Sequence, residues 1–177
     1  MEQQKSSCWV FGYGSLIWRP GFVYEQATQA LLNGAHRRLC VLSFRHRGTA
    51  ERPGLVFGLV HGGSCRGMAF EVKAEQWDEV HEYLRDREMD RGVYREAQRP
   101  IRLAGGLIVT ALAFLVDEAH PQYAGRLSIE EQVKLVRDGV GESGANPEYV
   151  LETANHLKAM GIRDRYLDDV VEALGAA

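Results

Sequence analysis

The hydrophobic pattern of this chain changes its period along the sequence. Up to about Val116, short apolar and aromatic runs are bounded by Gly, Pro or charged clusters, which predicts strands, with one helix among them. Beyond that point, apolar residues recur at the three-and-four spacing of helices. Strands first and helices late, without regular alternation, predict an α+β fold. The predicted strands are Cys8–Tyr13, Leu39–Phe44, Leu55–Val60, Gly67–Val72 and Leu107–Val116.

Apolar stripes and capping residues predict the helices. The first covers about Ala74 to Glu88, with apolar residues on one face and acidic residues on the other. The sequence Ser128 to Glu131 fits a capping box that begins a second helix. Asn146 is expected to cap a third helix from Pro147 to Met160, because proline is favoured at the first helical position. A fourth helix follows and ends near Gly175.

The bulk properties favour one globular domain over residues 1–177, because 177 residues can bury a sizeable core and no repeat or linker divides the chain. The formal net charge of -3 gives no basic surface for binding nucleic acid. Charge and composition suit a monomer or a small homo-oligomer equally well.

Neither the amino terminus nor the cysteines point to a membrane or an oxidising compartment. The stretch from Met1 to Lys5 is polar, and the apolar run after it is too short for a signal core or a membrane span. Cys8, Cys40 and Cys65 are odd in number and far apart, which fits a reducing cytosol. We therefore expect a cytoplasmic protein without a membrane partner.

A glycine-rich turn, Gly12-Tyr13-Gly14-Ser15, follows the first predicted strand. It does not fit a dinucleotide fingerprint, because the third glycine would fall at Ile17 and no helix is predicted to open there. The turn can be purely structural. It can also be a nest whose backbone N–H groups bind an anion or a polarised carbonyl. The residues leave both interpretations open.

Glu88 lies at the end of the first predicted helix and continues its apolar stripe. The eleven residues from Trp77 to Glu88 are about three turns at roughly 3.6 residues per turn, so the carboxylate is expected to point inward. Burial raises the pKa of a carboxyl group towards the range useful for proton transfer. The alternatives are that the helix has already ended, or that a nearby cation, Arg85, Arg87 or Arg91, simply pairs with Glu88.

Other candidate sites carry weaker signals. The segments Arg45–Gly48 and Arg52–Gly54 place cations between two predicted strands, where they could bind a substrate carboxylate or form a solvated loop. Ser15, Cys40 and Cys65 have no neighbouring base in the sequence that would make them nucleophiles. No metal site is expected, because the histidines lack ligand spacing. They are His36, His46, His61, His81, His120 and His156.

A contiguous run of nine residues, Val10-Phe11-Gly12-Tyr13-Gly14-Ser15-Leu16-Ile17-Trp18, resembles the opening signature of the ChaC-like, glutathione-specific γ-glutamylcyclotransferases. Further landmarks of that family follow in its order over nearly the whole chain. They are His46-Arg47-Gly48, Pro53-Gly54, Gly67-x-Ala69-Phe70, Tyr83-Leu84-x-x-Arg87-Glu88, Gly92-x-Tyr94 and Gly141-x-Ser143-Gly144-x-Asn146-x-Glu148-Tyr149.

The resemblance implies a mixed β-barrel-like sheet surrounded by helices, and an enzyme that releases 5-oxoproline from glutathione without a cofactor. It implies that Glu88 is the acid–base residue and that the loop Val10, Phe11, Gly12, Tyr13, Gly14, Ser15 and Leu16 binds substrate. Arg47, Arg52 and Tyr149 are secondary candidates for the substrate's carboxylates. Other γ-glutamyl amides as substrates, or a non-catalytic binding module of the same fold, are the alternatives.

Overall fold

The computed structural model describes residues 7–89 and 92–176, so the predictions made for Met1 to Lys5 and for Arg91 lie outside the described residues. The chain packs as two compact units. The first unit is formed by the chain up to Arg37 together with Leu59–Val116, and the second by Arg38–Gly58 with the chain from Asp117 onwards. The single domain over residues 1–177 stays a prediction.

The order of elements confirms the α+β fold, with strands early and most helices late. The predicted helices are all present, each shifted by a few residues at most. The elements are β1 (Cys8–Gly12), α1 (Ser15–Trp18), β2 (Gln26–Ser43), β3 (Gly54–Val72), a 3₁₀ turn (Ala74–Gln76), α2 (Trp77–Glu88), β4 (Tyr94–Leu103), β5 (Ile108–Val116), α3 (Ile129–Asp138), β6 (Val140–Gly141), β7 (Gly144–Ala145), α4 (Asn146–Ala159) and α5 (Arg165–Gly175).

A closed barrel organises the first unit, with strand order β1-β3-β2-β4-β5. Strand β1 pairs antiparallel with β3, where Phe11 lies opposite Ala69, and parallel with β5, where Val10 lies opposite Leu112. The parallel pairing of β1 with β5 closes the ring. This arrangement is the mixed barrel that the resemblance implies.

Two strands are longer than the sequence predicts. The segments Leu55–Val60 and Gly67–Val72 belong to the single strand β3, and Leu39–Phe44 overlaps the end of the long strand β2. The prediction was wrong because it treated glycines and charged clusters as strand terminators. Gly34 and Gly62 lie inside these strands with φ of 89° and 95°. Glycine tolerates positive φ, so the backbone can bend without ending the ladder.

Strand β4 (Tyr94–Leu103) was missed altogether. Most of its side chains are charged or polar and half-buried or exposed, so it shows no apolar run. Its full-length antiparallel ladder with β5, from Tyr94 opposite Val116 to Arg102 opposite Ile108, holds it in the barrel. Backbone pairing with a buried neighbour therefore outweighs its weak side-chain pattern.

Helix α2 packs against the barrel through the apolar stripe that the sequence predicts. Val80 and Leu84 are buried, whereas the acidic residues Glu79 and Glu82 on the other face are exposed. This packing fixes the carboxyl end of α2 beside the end of β1. The shared core comprises Val10, Leu16, Phe70, Val72, Val80, Leu84, Leu112 and Phe114.

In the second unit, the beginning of α4 contacts the first residues of β3. The Asn146 side chain accepts a hydrogen bond from the Leu55 N–H at 2.7 Å and donates one to the Leu55 carbonyl at 2.9 Å. The prediction that Asn146 caps α4 was wrong, since the N-cap is Ala145 and Asn146 is already helical. The buried side-chain amide of Asn146 satisfies both the backbone N–H and the backbone carbonyl of Leu55, as a neighbouring strand would otherwise do.

Asn146→Ala should lower the free energy of unfolding by about 3 kcal/mol, because it leaves the buried N–H and carbonyl of Leu55 without their partner. Urea denaturation measures the change. Asn155→Ala is the matched control, since Asn155 is exposed on the same helix and its loss should cost within about 0.5 kcal/mol. Equal effects of the two substitutions would contradict this role for Asn146.

Candidate active site

The end of β1 is enclosed by its neighbours. Val10 and Phe11 are fully buried. Gly67 on β3 lies against the carbonyl oxygen of Gly12, and a Cβ at position 67 would stand 2.2 Å from that oxygen. The glycine at 67 therefore lets the two strands approach closely enough to fix where β1 ends and the glycine-rich turn begins.

The glycine-rich turn leads into α1, a one-turn helix. The expectation that no helix opens here was wrong: the Ile17 N–H donates to the Gly14 carbonyl at 3.0 Å, and the Arg19 N–H donates to the Ser15 carbonyl at 2.7 Å. Tyr13 and Leu16 are buried and anchor the turn in the core. Because the first N–H groups of any helix have no acceptor within it, this geometry suits the nest interpretation.

Glu88 is the last residue of α2 and its side chain is 16% exposed, as the helical stripe predicts. Burial raises the pKa of its carboxyl group above the ordinary value of 4.5, and the positive charge of Arg87 partly offsets that increase. Such a carboxyl group can exchange a proton near neutral pH more readily than a solvated glutamate.

Arg87 connects Glu88 to the glycine-rich turn. Its Nε lies 3.4 Å from Oε1 of Glu88, and its Nη2 donates to Oγ of Ser15 at 2.9 Å. Its Nη1 donates to the carbonyls of Arg19 and Pro20 at 2.5 and 3.0 Å. One guanidinium group thus contacts both the predicted acid–base residue and the predicted substrate-binding loop.

Aromatic side chains support the segment that follows α1. The ring of Phe22 packs edge-on against Phe70 and near Tyr83, with centroids 5.6 and 6.4 Å away. Gly21 has a φ of 76°, and a Cβ there would stand 2.1 Å from the Tyr83 hydroxyl oxygen. A glycine at 21 is therefore required for this segment to lie directly on α2.

A ChaC-like protein family matches residues 8–177 of this chain. The chain belongs to the ChaC-like family. The match includes the strand β1, the glycine-rich turn, α2 with Glu88, and the helices of the second unit. The resemblance noted in the sequence is thereby confirmed.

Named ChaC-like relatives align over most of this chain. A glutathione-specific γ-glutamylcyclotransferase of Escherichia coli K12 is 31% identical over 163 residues, covering 92% of this chain and 71% of the relative. A glutathione-specific γ-glutamylcyclotransferase 1 of Danio rerio is 36% identical over 176 residues, covering 96% and 90%. The crystal structure of a yeast γ-glutamylcyclotransferase specific to glutathione superposes with a TM-score of 0.89 at 23% identity, covering 97% of this chain and 96% of the yeast chain, which shows the shared fold.

Two of the secondary candidates lie together in the second unit of the ChaC-like chain. Arg47 is buried, donates to the Ala145 carbonyl at 3.1 Å and lies 5.3 Å from the centroid of the Tyr149 ring. The Tyr149 hydroxyl accepts a hydrogen bond from the Phe57 N–H at 3.1 Å. These contacts give both side chains a structural role, and their binding of a substrate carboxylate stays a prediction.

Arg52 belongs to an exposed turn of the second unit, where its N–H donates to Oγ1 of Thr49 at 3.1 Å. Its role in substrate binding likewise stays a prediction.

Among residues 7–89 and 92–176 of this ChaC-like chain, no three His, Cys, Asp or Glu side chains cluster as a metal site would require. Within the same described ranges, no helix is long and apolar enough to cross a membrane.

Sequence reasoning treated Arg87 merely as a rival partner for Glu88. Adjacent residues on a helix normally point about 100° apart, which argues against a shared site. The signal that could have revealed the role of Arg87 is the Pro20-Gly21 segment. Once this segment folds onto α2, its backbone carbonyls need a hydrogen-bond donor. Arg85, the other described candidate for pairing with Glu88, has its Nε 3.2 Å from Glu96 instead.

Burial of Glu88 should make the stability of this ChaC-like protein pH-dependent. The pKa is raised in the folded state, so the folded state holds the proton more tightly than the unfolded chain. This contribution is fully present below the unfolded pKa and is lost as pH rises through the folded pKa. Glu88→Gln, which is never ionised, should therefore be more stable than the wild type near pH 8.

Thermal unfolding of the wild type and Glu88→Gln between pH 4 and 8 tests this expectation. The two should unfold at nearly the same temperature at roughly pH 4, and the difference should grow as pH rises. Glu82→Gln serves as the control, because Glu82 is exposed on the same helix. A difference between wild type and Glu88→Gln that does not change with pH would exclude a desolvated Glu88.

Proposed function

We propose that this chain is a glutathione-specific γ-glutamylcyclotransferase, a lyase that releases 5-oxoproline and cysteinylglycine from glutathione. The observation that carries the proposal is the buried carboxyl group of Glu88, held next to the glycine-rich turn by Arg87. The names of ChaC-like relatives that are 31% and 36% identical over most of the chain support the substrate.

The reaction joins two groups of one molecule. The α-amine of the γ-glutamyl arm attacks the γ-carbonyl carbon, a new C–N bond closes the five-membered ring, and the C–N bond to cysteine breaks. No water is consumed and no cofactor is needed. Because nucleophile and electrophile are already linked, the protein has to fold the arm into a reactive shape and move protons.

Glu88 carries the proton through both steps of this reaction. Its carboxylate takes a proton from the α-ammonium group, which makes the amine nucleophilic. Its carboxylic acid then gives that proton to the leaving cysteinyl nitrogen, since an amide nitrogen leaves poorly unless it is protonated. The ring nitrogen loses its second proton, and the released amine takes up one to become an ammonium group. A carboxyl group with a raised pKa suits both roles, because its carboxylate is a stronger base than that of a solvated glutamate and its acid form still releases the proton more readily than an ammonium group does.

The loop from Val10 to Leu16 binds the γ-glutamyl arm in this proposal. The backbone amides of Tyr13, Gly14 and Ser15 hold either the substrate's α-carboxylate or the oxyanion that develops on the γ-carbonyl. The start of α1 supports this assignment, because the first N–H groups of a helix have no acceptor within it. Arg47, Arg52 and Tyr149 are weaker candidates, since Arg47 and Tyr149 already contact one another.

A cytosolic location also belongs to the proposal. Glutathione is kept reduced in the cytosol, and Cys8, Cys40 and Cys65, all within the described ranges, form no disulfide. Burial raises the pKa of Cys40 to about 12, so this thiol is inert at neutral pH.

Glu88→Gln should lower 5-oxoproline release from glutathione by about 100- to 10,000-fold, the usual contribution of a general acid–base residue. Binding of glutathione should persist, because the loop is unchanged. Mass spectrometry detects 5-oxoproline, and calorimetry measures binding. Glu82→Gln on the exposed face of α2 should retain wild-type turnover. Turnover by Glu88→Gln within about twofold of the wild type would refute the acid–base assignment.

A panel of γ-glutamyl amino acids and γ-glutamylamines, assayed beside glutathione, tests the substrate. Glutathione should be turned over with a kcat/KM at least about tenfold above every other member of the panel. Comparable or better turnover of the other compounds would instead favour a broader γ-glutamyl cyclotransferase. A wild type that binds but converts none of them would favour a binding module, although retention of Glu88 argues against that outcome.

A further inference from the structure

The Arg87 side chain makes more hydrogen bonds than a surface ion pair requires. Its side chain is 19% exposed and bonds to Ser15, Arg19, Pro20 and Tyr83 in addition to its contact with Glu88. A charge-assisted bond to a backbone carbonyl or hydroxyl is roughly twice as strong as a neutral one. The guanidinium group therefore binds the segment around α1 firmly to α2.

The contacts of Arg87 fall at both ends of α1. Nη2 binds the Ser15 hydroxyl at the first residue of the helix, and Nη1 binds the Arg19 and Pro20 carbonyls immediately after the last. A helix of four residues has too few internal hydrogen bonds to be stable alone. Its position depends on what holds its ends.

The Tyr83 hydroxyl also holds the guanidinium group of Arg87 in place. Tyr83 lies one turn before Arg87 on α2, and its hydroxyl accepts a hydrogen bond from Nη1 of Arg87 at 3.0 Å. Gly21 lies directly on the Tyr83 ring. Arg87 is thus enclosed between its own helix and the backbone that follows α1, and its orientation is fixed before any substrate binds.

We propose that Arg87 is a positioning residue: its guanidinium group fixes α1, and with it the glycine-rich turn, at a set distance and angle from the Glu88 carboxyl group. The inference rests on the proposed function. Arg87 itself takes no proton and makes no covalent bond. It determines whether the γ-glutamyl arm bound by the turn lies within reach of the group that moves the proton.

Arg87 acts through two separable properties. Its planar fork supplies several donors in one plane, which a lysine ammonium cannot match. Its positive charge opposes the effect of burial on the pKa of Glu88. Among the described residues, Arg87 is the charged group whose field acts on Glu88, and the Tyr83 and Ser15 hydroxyls face the guanidinium from the other side. Arg87→Lys keeps the charge without the fork, and Arg87→Met removes both.

Steady-state kinetics on glutathione across pH separate these contributions. Arg87→Met should lower kcat/KM by about 100-fold, the cost of misplacing reacting groups by about 1 Å, and should move the acidic limb of the pH profile to higher pH. Arg87→Lys should raise KM with the acidic limb unmoved. Arg85→Met removes the same charge from an exposed position on α2, where Arg85 is bound to Glu96, and should match the wild type.

Amide hydrogen exchange tests the attachment of α1 without any turnover. The Ile17 and Arg19 amides, which bond within α1, should exchange at least about tenfold faster in Arg87→Met and Arg87→Lys than in Arg85→Met. This measurement remains informative if the wild type proves inactive on glutathione, an outcome that would refute the proposed function alone. If Arg87→Met fails to fold, Arg87→Lys and Tyr83→Phe provide the comparison.

Matching exchange rates and matching pH profiles for Arg87→Met and Arg85→Met would overturn the inference. A loss of activity in Arg87→Met with an unmoved acidic limb and unchanged exchange at Ile17 and Arg19 would also overturn it, because the loss would then not act through α1 or Glu88. Faster exchange together with a displaced limb would establish it.

Discussion

Removal of the Glu88 carboxyl group from water is the interaction on which the proposed chemistry depends. Full burial can raise the pKa of a carboxyl group by up to about 3–5 units, whereas a nearby cation lowers it by about 1–3. At Glu88 burial is the larger effect and the Arg87 charge the smaller one, so the pKa is raised. Much stronger pairing would leave less of the protonated acid at neutral pH, and loss of Arg87 would leave less of the carboxylate. The balance between the two makes one side chain suitable for both proton transfers.

The fold of the first unit maintains that balance. Val80 and Leu84 seat α2 in the barrel core, which turns the next residue of the stripe, Glu88, away from water. The close approach of Gly67 to Gly12 fixes the end of β1, and the glycine-rich turn begins there. Apolar packing thus sets the environment of the carboxyl group, and the hydrogen bonds of Arg87 join the two elements that packing alone places near each other.

The sequence predicted the features that depend on local periodicity and left out those that depend on distant partners. Three-and-four spacing was enough to place Glu88 inside the last turn of α2. The strand β4 was missed because its stability comes from its ladder with β5, and Asn146 was misread because its partner, Leu55, lies far away in the sequence. The bonds of Arg87 to the Ser15 hydroxyl and to the backbone after α1 could not be predicted for the same reason.

The pH dependence of kcat/KM for 5-oxoproline release from glutathione tests the central role of Glu88 most directly, because this parameter reports ionisations of the free enzyme and free substrate. A desolvated Glu88 predicts an acidic limb with its midpoint above 4.5, the ordinary value for a glutamate. The α-carboxyl groups of the substrate titrate below roughly pH 4 and do not obscure that limb. An acidic limb with its midpoint at or below 4.5, or no acidic limb, would contradict the account, because the proton carrier would then be an ordinary solvated carboxylate or no carboxylate at all.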